Sequence, residues 1–201
     1  LETDRRLIAI RINFLKRRLE KVRKTRHQGR RARRRNGIPT VALVGYTNAG
    51  KSTLFNRLTE AKIYAADQLF ATLDPTLRKI ILPGGAEMIL ADTVGFVQNL
   101  PHALVDAFRA TLEEAVEADV LIFVQDGAHP DRLMQEEAVL EVLQDIGAHE
   151  VPRVVVMNKV DLKPEVVPGI DESARVWISA NSGIGLDALT AVLAEAIGHA
   201  P

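Results

Sequence analysis

Apolar and polar positions divide the chain into two regimes. From about Asp4 to about Gln28, Ile8, Ile12, Leu15, Leu19 and Val22 recur at alternating steps of four and three, which predicts one helix. Thr3 or Asp4 suits its cap. So narrow a stripe fits one strand of a coiled-coil pair better than a core helix. From Pro39 onward, short apolar runs alternate with helical stretches. Strands are predicted at Val41–Val44, Leu77–Leu82, Met88–Ala91, Val120–Val124, Val154–Met157 and Val176–Ile178. Helices are predicted at Ser52–Thr59, Ala103–Ala118, Leu133–Ile146 and Leu186–Ile197. Pro83-Gly84-Gly85 marks a hairpin between the second and third strands. Residues 61–76 read as a long loop, and Lys163 to Ser173, with Pro164, Pro168 and Gly169, as an irregular surface loop.

Strands separated by helices imply an α/β fold of three layers, with a mostly parallel sheet and one antiparallel hairpin strand. A basic α-helical arm, residues 1–36, would precede a globular unit at 37–201. In such sheets ligands bind at the carboxyl ends of the strands. The motifs stand there.

After the first strand comes Gly45-Tyr46-Thr47-Asn48-Ala49-Gly50-Lys51-Ser52-Thr53, which fits the phosphate-loop pattern G-x-x-x-x-G-K-[ST] at every fixed position. Gly45 and Gly50 allow the backbone to wrap phosphate oxygens, and the helix beginning near Lys51 adds its positive dipole end. Lys51 would reach the β- and γ-phosphates, and the Ser52 hydroxyl would ligate Mg²⁺. Asp92-Thr93-Val94-Gly95 follows the third strand, 41 residues after the lysine. Asp92 suits a carboxylate that holds Mg²⁺ through water, and Gly95 lets a backbone N–H approach the γ-phosphate. In the preceding loop, Phe70-Ala71-Thr72-Leu73-Asp74 offers Thr72 as the hydroxyl completing the Mg²⁺ shell, with Thr76 as competitor.

Asn158-Lys159-Val160-Asp161 follows the Val154–Met157 strand. Two carboxylate oxygens on Asp161 match the paired N–H donors of guanine, which adenine lacks. Asn158 would tie this loop to the phosphate loop, and the Lys159 stem would cover one base face. Ser179-Ala180-Asn181 comes 18 residues after Asp161, with the Ala180 N–H placed for the guanine O6. Gln125-Asp126-Gly127 is expected to have packing and turn roles.

Charge changes the picture of the arm. The 201-residue chain balances 26 Lys/Arg against 26 Asp/Glu. Residues 1–36 alone hold 15 basic and 3 acidic, an excess of twelve positive, so the remainder carries an equal negative excess. Arg30, Arg31, Arg33, Arg34 and Arg35 concentrate it. One-signed charge of this kind points to RNA or another polyanion. No run approaches the roughly 18 apolar residues of a membrane span. With no cysteine, disulfides and thiolate zinc sites are excluded, and a reducing cytosol fits. His27, His102, His129, His149 and His199 have no metal-site spacing. The first residues do not form a signal peptide, and without an initial methionine the chain is expected to be a fragment or processed form.

The phosphate-loop wording, followed by Leu54-Phe55-Asn56, then Phe70-Ala71-Thr72-Leu73-Asp74-Pro75-Thr76, then Asp92-Thr93-Val94-Gly95-Phe96, with Leu1-Glu2-Thr3-Asp4-Arg5-Arg6 upstream, closely resembles the HflX family of P-loop GTPases. The resemblance covers nearly the whole chain. It implies a cytoplasmic enzyme that binds GTP and GDP and hydrolyses GTP with Mg²⁺. It also implies an association with the large ribosomal subunit and its rRNA, ribosome splitting or rescue under stress, and a monomer. Family members typically carry a further N-terminal domain joined through a helical hairpin, and the 4–28 helix looks like that hairpin's second half. Lys51, Thr72 and Gly95 would be the catalytic set. Two other readings are a GTP-gated RNA- or ribosome-binding module with little turnover, and an ATP-using RNA-remodelling enzyme, against which Asp161 argues.

One catalytic position is unusual. Many GTPases place a glutamine just after D-x-x-G to orient the attacking water. Here it is Phe96, which neither donates nor accepts a hydrogen bond, so slow intrinsic turnover is expected. In related GTPases an asparagine placed like Asn48 ligates K⁺. That role and a simple hydrogen-bonded loop residue both remain open for Asn48.

Overall fold

The centre of the structure, a computed structural model, is a strand of five residues with no exposed side chain. Thr40–Val44 (β1) alternates its apolar residues between two cores, Val41 and Leu43 on one face and Ala42 and Val44 on the other. The structure describes residues 37–60, 76–93, 95–96 and 112–198. Several sequence expectations lie outside them: the 4–28 helix, the Arg30–Arg35 cluster, nearly all of the 61–76 loop with Phe70–Asp74, Val94, the first part of the Ala103–Ala118 helix, and His27, His102 and His199. The chain divides into two units, Leu1–Ile38 and Pro39–Pro201, and every element described here belongs to the second.

In chain order, β1 is followed by α1 (Lys51–Thr59), β2 (Thr76–Ile81), β3 (Glu87–Asp92), a helical stretch at 112–116 and β4 (Val120–Asp126). Then come α2 (Arg132–Asp145), β5 (Arg153–Asn158), a 3₁₀ turn at Val160–Leu162, β6 (Gly169–Ile170), β7 (Val176–Trp177) and α3 (Leu186–Gly198). The sheet order is β2-β3-β1-β4-β5-β7-β6. Pairings from β3 through β7 are parallel, and β2 returns antiparallel to β3 through the turn in which Leu82 N–H donates to Ala86 O at 2.8 Å. The mostly parallel α/β fold expected from the sequence is therefore present.

Two details differ from the sequence reading. β4 continues through Gln125 and Asp126, where polar residues had suggested its end, because both pair in register with Met157 and Asn158 of β5. Within the expected irregular loop, β6 adds a second, two-residue antiparallel pair against β7. Periodicity cannot reveal a two-residue strand. What fixes it is Asp171, whose carboxylate accepts from the Trp177 indole N–H at 2.9 Å, Arg175 Nε at 2.8 Å and the backbone N–H groups of Ser173 and Arg175.

Apolar packing makes the three layers. On one face, Leu54 and Phe55 of α1 and Leu189 and Leu193 of α3 meet Leu43, Leu90, Ile122, Val124 and Val156. On the other, Val139 and Leu143 of α2, with Leu112 and Ala115, meet Val44, Ala91, Leu121 and Phe123. After β1 the next two parallel strands pair on its opposite sides, so its carboxyl end is the switch point at which such sheets open a crevice.

The Trp177 hydrogen bond, foremost, holds the Asp171 carboxyl down at about 2, from an ordinary 3.8. A folded-state value below the unfolded one stabilises the fold above about pH 4, and that contribution disappears as pH falls through about 2. Asp171→Asn is expected to lower unfolding free energy at pH 7 by about 1 kcal/mol. It should also flatten the loss of stability between pH 4 and 2, as checked by urea unfolding across that range.

Candidate nucleotide-binding site

The loop between β1 and α1 is built by packing as much as by conformational freedom. Gly50 caps α1 with a φ of 97°, and a Cβ there would overlap the Asn158 side chain. A Cβ on Gly45 would overlap the Val124 carbonyl of β4. Asn48, the exposed tip, has a φ of 59°, a left-handed conformation that asparagine tolerates better than most residues. This gives Asn48 a local structural reason for its place in the loop.

Lys51 opens α1 and is only 5% exposed. Its ammonium donates to Gly45 O at 3.0 Å and Tyr46 O at 2.8 Å, so it lies inside the turn of the loop. Burial pushes its pKa down to about 8, while the Asp92 carboxylate pulls the other way. One residue on, Ser52 Oγ donates to Asp92 Oδ2 at 2.8 Å. Asp92 ends β3 and is buried. A hydroxyl and a carboxylate in contact, beside a buried ammonium, form the hard-oxygen set that suits Mg²⁺ with water and phosphate completing its shell. Thr93 donates its hydroxyl to Leu43 O and is fixed in the core edge.

Gly95 is seated directly on the phosphate loop. A Cβ there would come within 2.9 Å of Thr47 Cα and 3.0 Å of Lys51 Nζ. Its neighbour holds it there. Phe96 N–H donates to Gly45 O at 3.1 Å, and Phe96 O accepts from Thr47 N–H at 2.7 Å. The Phe96 ring is fully buried among Ala42, Val44, Leu112 and Phe123.

At the far side of the crevice, Asn158 ends β5 and is buried. Its Nδ2 donates to Ala49 O at 2.8 Å, and its Oδ1 accepts from Ala180 N–H at 2.9 Å. Lys159 has a φ of 67°, and its ammonium contacts Asp126 Oδ2 at 2.7 Å. Asp161 is exposed in the 3₁₀ turn, which hangs from Ile178 through Val160 N–H at 3.0 Å. Ser179 closes the last loop, its Oγ accepting from Ser182 N–H at 3.1 Å.

The structure brings together the phosphate loop, Asp92, Thr93, Gly95, Asn158 to Asp161 and Ser179 to Asn181. Thr76, the competitor for the metal position, is in β2 opposite Asp92. Thr72 and its neighbours lie outside the described residues. The Ala180 N–H, expected to meet a base oxygen, donates here to Asn158 Oδ1. Sequence reasoning missed Asp126 as the partner of Lys159 and Arg57 of α1, whose guanidinium donates to Ala180 O at 3.2 Å and to Asn181 O. An acidic residue ending the strand beside N-K-x-D was the available signal for Asp126; nothing in the sequence marked Arg57. Among the described residues no cluster of three or more His, Cys, Asp or Glu could hold a metal by itself, and no helix is long and apolar enough to cross a membrane.

Replacing Phe96 by glutamine would bury an amide in the apolar cluster that Phe96 shares with Ala42, Val44, Leu112 and Phe123. Phe96→Gln is expected to cost about 2–4 kcal/mol in stability, read as a lower urea midpoint, and to leave GTP hydrolysis no faster.

Residues 40–159 match the family of 50S ribosome-binding GTPases. The chain is 55% identical to the GTPase HflX of Escherichia coli (strain K12), over 97% of this chain and 47% of that protein. It thus spans about half the length of the curated relatives it matches. A GTP-binding protein from Sulfolobus solfataricus solved with GDP aligns at a TM-score of 0.63 and 29% identity, over 93% of this chain and 59% of that one. Era, solved with MgGDPNP and nucleotides 1506–1542 of 16S ribosomal RNA, aligns at 0.61 and 29%, over 82% and 57%. With a P-loop GTPase fold, the expected motifs and these relatives, the chain belongs to the 50S ribosome-binding GTPase family and is of the HflX type.

Proposed function

We propose that this chain is the GTP-binding and GTP-hydrolysing part of a cytoplasmic, ribosome-associated protein, with residues 37–201 as the nucleotide domain and residues 1–36 as a basic arm. The observation that carries this reading is the link made by Asn158, which joins a loop carrying Lys51 and Ser52 to a loop carrying Asp161. Phosphate recognition and guanine recognition would thereby be held in one crevice. Asp161 would accept both guanine donors, and the Lys159 stem would cover a ring face. Lys51 and the loop amides would hold the β- and γ-phosphates and offset charge on the transferring phosphoryl group. Ser52 and Thr72 would ligate Mg²⁺, with Asp92 acting through water; the metal supplies charge neutralisation between the phosphates. Gly95 would present its N–H to the γ-phosphate. Water attacks the γ-phosphorus, the bond to the β-phosphate oxygen breaks, and GDP and phosphate leave.

Phe96 favours a second reading. With that ring in the core, this position orients no water, so turnover by the chain alone would be slow. Help would come from a K⁺ held by Asn48 or from the large ribosomal subunit. In the limiting case GTP only gates ribosome affinity. The arginines of the arm would contact rRNA phosphates, and the fuller activity would be to help split or rescue ribosomes under stress.

The deciding measurement is GTP turnover with and without large ribosomal subunits. Slow basal hydrolysis that subunits stimulate is expected, with stimulation falling steeply with salt and shrinking when the five arginines at 30, 31, 33, 34 and 35 become glutamine. Binding without any turnover would favour the gated module, and no GTP binding would overturn both readings. Asp161→Asn is expected to weaken GTP and relatively favour xanthosine triphosphate. K⁺ activation predicts faster hydrolysis in KCl than in matched NaCl, with the difference lost in Asn48→Ala; equal rates would remove K⁺ from the mechanism.

A further inference from the structure

Asp126 stands outside the motifs that bind nucleotide, yet its carboxylate is fully engaged at the base loop. It ends β4 opposite Asn158. Oδ1 accepts from Ala128 N–H at 3.0 Å, closing a turn, and Oδ2 is 2.7 Å from Lys159 Nζ. The Asp126 side chain is only 12% exposed and that of Lys159 33%, so the pair is partly shielded from water. The turn presses against the base loop. Gly127 N–H donates to Asn158 O at 2.8 Å, and a Cβ on Gly127 would come within 2.9 Å of both Asn158 O and the Trp177 ring.

Lysine has a four-carbon stem with considerable rotamer entropy. Here both ends of that stem are fixed, the backbone in the left-handed region and the ammonium on Asp126. A stem held this way presents its methylenes as a surface before any ligand arrives, so binding need not order it.

We propose that Asp126 is a positioning residue for the guanine nucleotide, acting through Lys159; this rests on the guanine-binding reading above. The methylene stem meets a purine face, and every purine has that face. Asp126 therefore sets how long a purine nucleotide stays, while Asp161 sets which purine is chosen. The pair is a charge-assisted hydrogen bond, and its loss corresponds to about a tenfold faster release.

The test is release of a fluorescent N-methylanthraniloyl diphosphonucleoside from the full chain by stopped flow, with guanosine and inosine forms. The variants are Asp126→Asn, Lys159→Ala and the double substitution. Asp126→Asn keeps an oxygen for the Ala128 N–H and removes the charge. It should release both nucleotides about tenfold faster with their affinity ratio unchanged, and it should add little in the Lys159→Ala background. Asp126→Glu keeps a charge for Lys159 and should stay within about twofold of wild type, which also serves if the asparagine variant does not fold. Additive effects, an altered guanosine-to-inosine ratio, or a glutamate variant as fast as the asparagine one would overturn the proposal. A wild-type chain that binds no guanosine diphosphate would sink the guanine reading itself, and that result is visible before any variant is compared.

Discussion

A nucleotide site assembled from loops far apart in sequence needs something to hold the loops in register, and here that is one buried amide. Asn158 gives a hydrogen to Ala49 O and takes one from Ala180 N–H. Those partners are 109 and 22 residues away along the chain. Only a side chain with both a donor and an acceptor at one end can do this; aspartate lacks the donor and leucine lacks both. Burial raises the stake, because each unmade bond would leave a desolvated group. The amide also explains a neighbouring requirement: any Cβ at residue 50 would occupy its space. Arg57 adds a second tie, from the end of α1 to the carbonyls of Ala180 and Asn181.

These ties work because the sheet beneath them is buried on both faces. β1 and β4 have no exposed side chain, so their carboxyl ends are fixed points from which loops extend. The phosphate loop leaves β1, Asp92 ends β3 and Asn158 ends β5, all at one edge of the sheet. The span across the crevice between Lys51 and Asp161 is thus set by the spacing of strands, and not by any direct contact between the two residues.

Most of this was legible because burial on both faces writes itself as uninterrupted apolar runs. Val41–Val44, Val120–Val124 and Val154–Met157 could be little else, and the first and last of them were followed by a motif whose geometry needs a strand end. The misses occurred where pairing, not side-chain pattern, decides structure. Gln125 and Asp126 are polar, yet they continue β4 because β5 offers their backbone partners. Gly169 and Ile170 form a strand only because Asp171 gathers Arg175 and Trp177. The Asn158–Ala180 hydrogen bond, too, is a pairing that no side-chain pattern announces. A sequence shows which groups are present; which of two possible acceptors a donor takes is decided by distance.

Phe96 is where that distinction matters most. In the sequence it is a missing glutamine, an absence at the position that elsewhere orients water. In the structure it has a task that glutamine could not perform. Its ring is sealed into the core that covers one face of β1, while its N–H and carbonyl clasp Gly45 and Thr47. Gly95 is thereby drawn against Lys51, so the residue proposed to sense the γ-phosphate is placed by the packing of the hydrophobic core. A side chain used as an anchor on one side of the backbone is unavailable to the water on the other. The backbone after β3 therefore has a well-defined seat on the phosphate loop, and under the proposed function the group that orients water would come from elsewhere. Under the proposed function, a site built this way would tie its rate to whatever covers it, the property a ribosome-coupled GTPase would need.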